Sequence, residues 1–159
     1  MAFLKNINAW KQKSEAAKKK IKSSATLYVQ NKVLTIYKEA LKVSPQWSGN
    51  YAYNWTIEFT GYKDGSYEKR FKVTPWQALY KYGAAKRGDP EAINAALANT
   101  MHLIEHIKWN SAVKLVNNSP IADRIEAGTV KLRPENVIPG GQGVIAHLQT
   151  KYGNYFKGK

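Results

Sequence analysis

The string with the clearest chemical potential is His102-Leu103-Ile104-Glu105-His106. Two histidines four residues apart on a helix can share one zinc ion while the glutamate beside them activates water, the arrangement of inverted zinc proteases. A third ligand would have to come from Glu126, Glu135 or His147. At about 100° per residue, with Ile93 as origin, the apolar residues of this helix span about 280° through 80°, whereas His102 falls near about 180° and His106 near about 220°. Both histidines thus face away from the core side, and a catalytic zinc ion requires a dry cavity and oriented supporting groups. Gly140-Gly141-Gln142-Gly143 before a helix could cradle a phosphate. It lacks the Lys-Ser/Thr of a phosphate-binding loop and the strand and spacing of a dinucleotide fold, so it reads as a turn. Ser48, in Trp47-Ser48-Gly49, lacks the first glycine of a nucleophile elbow. No catalytic residues, metal ligands or cofactor are therefore assigned, and a zinc hydrolase using His102, Glu105 and His106 stands last among three readings.

Charge is the strongest compositional signal: of 159 residues, 25 are Lys or Arg and 11 are Asp or Glu, for a net charge of +14. Residues 1–42 hold ten Lys and two Glu, and residues 1–24 alone hold seven Lys and one Glu. Such a chain should meet a polyanion or an acidic partner, and Lys11, Lys13, Lys18, Lys19, Lys20 and Lys22 are the contact residues this implies. The same run also reads as a solvated helix face that keeps the protein in solution. Of the five Trp and ten Tyr in the chain, two Trp and six Tyr are interleaved with Lys over residues 51–86 and resemble the stacking platforms of single-strand binders, although alternating aromatics equally serve a core or a subunit interface. A chain without cysteine has neither a disulfide scaffold nor thiol chemistry, which fits a reducing compartment. No apolar run approaches the ~20 residues of a membrane-spanning helix. Nothing at the start resembles a secretion signal, so a soluble protein with no membrane partner is expected.

The elements that must carry these residues follow from periodicity. Residues 8–42 contain neither Gly nor Pro, and Ile21, Leu27, Tyr28, Leu34, Tyr37 and Leu41 recur at helical spacing, predicting a long helix ended by Ser44-Pro45. Its first half has too few large apolar residues to bury a stripe, so residues 1–24 form a Lys-rich projecting helical segment and residues 25–159 a single domain. Residues 51–60 alternate Tyr53, Trp55, Ile57 and Phe59 with polar residues, and residues 67–73 repeat the pattern after a turn, predicting a β-hairpin. A short helix is suggested within residues 74–88. Asp89-Pro90 opens a second helix running to about Lys108, with Ile93, Ala96, Leu97, Thr100, Ile104 and Ile107 on one face. Residues 112–117 read as a third strand. Asn118-Ser119-Pro120 is expected to cap a short helix that stops at Gly128. Residues 129–143 are loop-like with an extended piece at 130–133, and Val144, Leu148, Tyr152 and Phe156 mark a closing helix weakened by Gly153. The expected class is α+β: a long N-terminal helix and a second helix packed on a small, mainly antiparallel sheet, with a short helix and a C-terminal helix.

Two stretches resemble the neck and tail-completion proteins of tailed bacteriophages, also described as head-tail joining or minor tail proteins. Ser44-Pro45-Gln46-Trp47-Ser48-Gly49-Asn50-Tyr51, after a long helix, is similar to that family's P-x-x-(T/S)-G-x-(L/Y) segment. The run from Val116 to Gly128 is similar to its N-x-x-P-Y-A-x-x-(I/L)-E-x-G, with Ile121 where the family prefers Tyr. Pro139-Gly140-Gly141-Gln142-Gly143-Val144 resembles its P-x-G turn into a last helix. The motif residues here are Pro45, Ser48, Gly49, Asn118, Pro120, Ala122, Glu126 and Gly128. The resemblance implies a virion component of the neck or tail, assembled in the host cytoplasm. Its copies would form a ring, a hexamer or dodecamer, that contacts adjacent connector or head-completion and tail-tube proteins while genomic DNA passes through the lumen. It brings no catalytic residues. The second reading is a basic nucleic-acid-binding module that uses the Lys-rich helix and the aromatic hairpin.

Overall fold

A computed structural model of the chain describes residues 2–45, 50–61 and 87–155. The fold is α+β, with helix α1 (Ala2–Val43), a single turn α2 (Asn50–Tyr53), strand β1 (Trp55–Phe59), helix α3 (Pro90–Glu105), strand β2 (Val113–Asn117), short helix α4 (Ala122–Glu126) and helix α5 (Val144–Tyr152). Short 3-10 turns occupy Pro134–Asn136 and Gly153–Tyr155. The expected second hairpin strand and the short helix before Arg87 fall on residues 62–86, outside the described residues, as do Ser48 and Gly49.

Helix α1 ends as expected at Ser44-Pro45, where the Ser44 N–H and hydroxyl both donate to the Ala40 carbonyl, at 3.0 and 2.6 Å. Tyr37, Ala40, Leu41 and Val43 are buried, with Val29, Val33, Leu34 and Ile36 packed beside them. The proposed stripe is wrong at its N-terminal end: Ile21, Leu27 and Tyr28 are exposed. Among the described residues, the body's hydrogen bonds to α1 reach as far as Thr26, whose Oγ1 accepts the Trp109 N–H at 3.2 Å, and Gln30, whose amide donates to the carbonyls of Glu105 and Ile107 at 3.0 and 2.9 Å. Residues 8–24 are exposed except for half-buried Ser14.

The strand expected from residue 51 starts instead at Trp55, because Tyr51 and Ala52 are both buried and adjacent strand residues face opposite ways. β1 pairs antiparallel with β2, Trp55 opposite Asn117 and Phe59 opposite Val113. α3 begins as predicted, the Asp89 carboxylate accepting the Glu91 N–H at 3.0 Å. It stops at Glu105 rather than near Lys108, since His106 and Ile107 bond back three residues to Leu103 and Ile104, tightening the last turn. Its buried face is Ala96, Thr100, Leu103 and Ile104, continued by Ile107.

At the centre lies Tyr37, fully buried. Its hydroxyl donates to the Trp55 carbonyl at 2.9 Å and lies 2.8 Å from Thr100 Oγ1 and 3.4 Å from the Ala96 carbonyl. Burial holds this phenol well above its ordinary pKa, so it stays a donor.

α4 is not capped by Asn118, Ser119 or Pro120 side chains. Asn117 Oδ1 accepts the Ser119 N–H at 2.9 Å and the Ser119 carbonyl accepts the Ala122 N–H at 3.0 Å, so a local turn delays the helix to Ala122. Its end follows expectation. Thr129 N–H bonds to the Arg124 carbonyl, Gly128 N–H to that of Ile125, and Gly128 has φ +67°. Residues 130–133 form no strand, although Val130 and Leu132 pack on the core. α5 lies against α1, where Glu39 accepts hydrogen bonds from Lys151 at 2.7 Å and His147 at 3.1 Å. Desolvation raises the Glu39 pKa, but these two partners outweigh it and leave the carboxyl below its ordinary value. Gly128→Ala should cost about 1 kcal/mol in urea melts, because open space surrounds the position and only the left-handed backbone resists a side chain.

Candidate functional site

Tyr51, Gly143 and Ile145, all distant from α4 in the sequence, meet at Glu126. Its Oε1 accepts the Tyr51 hydroxyl at 2.5 Å, and its Oε2 accepts the N–H of Ile145, the second residue of α5, at 2.9 Å. A carboxylate in that position satisfies an otherwise open N–H and complements the helix dipole. Desolvation, followed by the neighbouring Glu126 charge, holds the Tyr51 phenol far above its ordinary pKa. Gly143 is required here for space: a Cβ would stand 2.6 Å from Glu126 Cα and 2.7 Å from its carbonyl oxygen. The Asn117 amide donates to the Tyr51 carbonyl at 3.0 Å, and the Asn118 N–H donates to that of Asn54 at 3.0 Å. The Trp55 indole donates to Ser44 Oγ at 2.7 Å and meets the Tyr51 ring edge-on at 5.8 Å. Pro45 and Ala122 are buried in this assembly, while Pro120 and Gly128 are exposed on its rim. Both Glu126 oxygens accept from donors within the chain, so the cluster is a clamp between α2, α4 and α5.

Lys11, Lys13, Lys18, Lys19, Lys20 and Lys22 are all exposed. They do not form one face. At about 100° per residue, Lys11, Lys18 and Lys22 lie within about 40° of one another, Lys13 and Lys20 lie nearly opposite them, and Lys19 stands between. Lys18 pairs with Glu15 at 2.8 Å on the surface, a contact of small energetic weight. Lys19 and Lys22 line an open cleft with Thr26, Leu27, Lys108 and Trp109. The half-exposed Trp109 among three lysines offers a flat apolar surface beside positive charge, which suits stacking and phosphate contact together. Sequence reasoning missed Lys108 and Trp109; the signal was an aromatic residue just past a helix end, and its pairing with α1 was not visible.

His102 and Glu105 on α3 and His106 just past its end are exposed, as the helical geometry predicted for the two histidines. The three further ligands considered lie apart from them in role: Glu126 is in the clamp, His147 pairs with Glu39, and Glu135 is exposed. Among the described residues no three His, Cys, Asp or Glu side chains are grouped to hold a metal ion. Comparison with known protein families, characterised proteins and solved structures finds no match.

Glu126→Ala should destabilise the protein by about 1.5–3 kcal/mol, because it removes two charge-assisted hydrogen bonds and strands the Tyr51 hydroxyl, and Tyr51→Phe in the same background should recover part of that loss. Chemical denaturation of the two variants checks this. The double substitution His102→Ala, His106→Ala should leave the melting temperature unchanged, and elemental analysis of the purified wild type should find no stoichiometric zinc. About one zinc per chain, lost in the double variant, would restore the hydrolase.

Proposed function

We propose that the chain is a structural virion protein of a tailed bacteriophage, a subunit of a ring at the neck or the top of the tail. The observation that supports this reading is the Glu126 clamp. Tyr51 and Glu126, 75 residues apart in two stretches each similar to a motif of the neck and tail-completion proteins, are hydrogen-bonded. Gly143 of the third stretch packs on Glu126, and Ile145 just beyond it donates to the carboxylate, as the parts of one fold signature should. The long, exposed, positively charged helix suits a ring subunit that reaches toward DNA in a lumen or toward an acidic neighbouring ring. Lysines provide mobile point charge that tolerates passing phosphates without reading sequence.

The cleft of Lys19, Lys22, Lys108 and Trp109 favours a second reading, a nucleic-acid-binding module. Size-exclusion chromatography with light scattering, across a range of concentrations, separates the two. A ring former should give a discrete hexamer or larger species, with closed rings in electron micrographs and only weak DNA binding that falls steeply with salt. A strict monomer whose affinity for single strands drops on Trp109→Ala would replace the ring with the binding module.

A further inference from the structure

The exposed part of α1 carries a pattern separate from its lysine content. Ile7, Trp10, Ser14, Ala17, Ile21, Ser24 and Tyr28 follow each other by alternating steps of three and four, the a and d positions of about three heptads. Trp10 and Ile21 are strongly exposed, at 70% and 68%, whereas Tyr28 is hydrogen-bonded to Tyr155 with Lys32 over both rings, so the open part of the seam ends at Ser24. Around the helix this seam lies nearly opposite Tyr37 and Leu41, the face that packs on the body, and no lysine between residues 7 and 28 falls within it. The seam is narrow, which is the mark of a helix that pairs with another helix rather than one that packs on a sheet.

The residues flanking the seam specify the partner. Lys13 and Lys20 occupy the g positions on one side, and Lys11 and Lys18 the e positions on the other. In a two-helix coil these positions face each other across the seam and set partner choice. A second copy of α1 would bring lysine against lysine along both edges, which is destabilising. We propose that residues 7–24 of α1 form one strand of a heterotypic coiled coil whose partner is a helix with acidic e and g residues. Ser14, Ala17 and Ser24 leave the seam thin between its large residues, so the partner supplies bulky apolar side chains at those levels. This inference goes beyond the ring reading and stands or falls without it, since it rests only on the seam and its flanks.

The test uses the full chain and two synthetic peptides of about three heptads, both with Leu at a and d, one with Glu and the other with Lys at every e and g. Titration calorimetry should show the acidic peptide bound at least about tenfold more tightly than the basic one, with helicity rising on mixing. Trp10→Glu and Ile21→Glu should each abolish that difference without lowering the melting temperature, both side chains being exposed. Lys13→Glu with Lys20→Glu should shift preference toward the basic peptide, and this charge reversal tests the idea even if a seam variant fails to fold. Equal affinity for the two peptides, or no binding of either, overturns the proposal. So does self-association of the wild type that is lost in Ile21→Glu, and so does a short DNA duplex that competes with the acidic peptide yet is indifferent to Trp10 and Ile21. A chain that forms no ring but binds the acidic peptide would reject the ring reading and keep this one.

Discussion

The buried hydroxyl of Tyr37 sets the geometry of the molecule. A phenol with no access to water must find its partners inside the protein, and here they come from two other elements of the core: the Trp55 carbonyl at the start of β1 and the Thr100 hydroxyl in the middle of α3. Sliding α1 by one residue would turn Tyr37 out of this site and leave Thr100 facing apolar neighbours. The register of the long helix on the body is therefore specified at one point. Relative to the core of the described residues, the part of α1 N-terminal to about Thr26 then extends outward.

A second tie holds the other half. Glu126 joins α2, α4 and the start of α5, and Gly143 allows the backbones of α4 and α5 to approach more closely than any side chain would permit. Trp55 connects the two ties, since its carbonyl receives Tyr37 while its indole donates to Ser44 and its ring meets Tyr51. The polar groups of the interior thus form linked sets, which define one arrangement more sharply than apolar contact alone.

What was legible in the sequence was local. Ser44-Pro45 stops a helix because proline acts on its immediate neighbour, Asp89-Pro90 starts one through a bond two residues long, and Gly128 ends one through its own backbone. The failures come from competition or distance. At residues 51–53 an aromatic alternation suggested a strand, yet burying Tyr51 and Ala52 together required a helical turn. At residues 117–120 the Asn117 side chain forms a turn of its own and postpones α4. The pairing of β1 with β2, and the two hydrogen-bond partners of Glu126, link residues far apart in the chain, and neither periodicity nor capping chemistry carries that information. Within the candidate site the six lysines and the exposed histidines were placed correctly as surface groups. Trp109 and the opposed faces of α1 emerged only once the body's position along the helix was known.

Helix α1 also has a mechanical character. Its 42 residues contain no proline or glycine to act as a hinge, and at about 1.5 Å per residue it is a rod about 63 Å long. The part beyond Thr26 amounts to about 36 Å, longer than many small domains are wide. Anchored by Tyr37 and the Gln30 amide, it works as a lever. Tilting the body by about 10° would sweep the tip through about 6 Å, roughly one helical turn, and Trp10 through about 4 Å, so a slight reorientation of the domain is converted along the helix into a step large enough to make or break a contact.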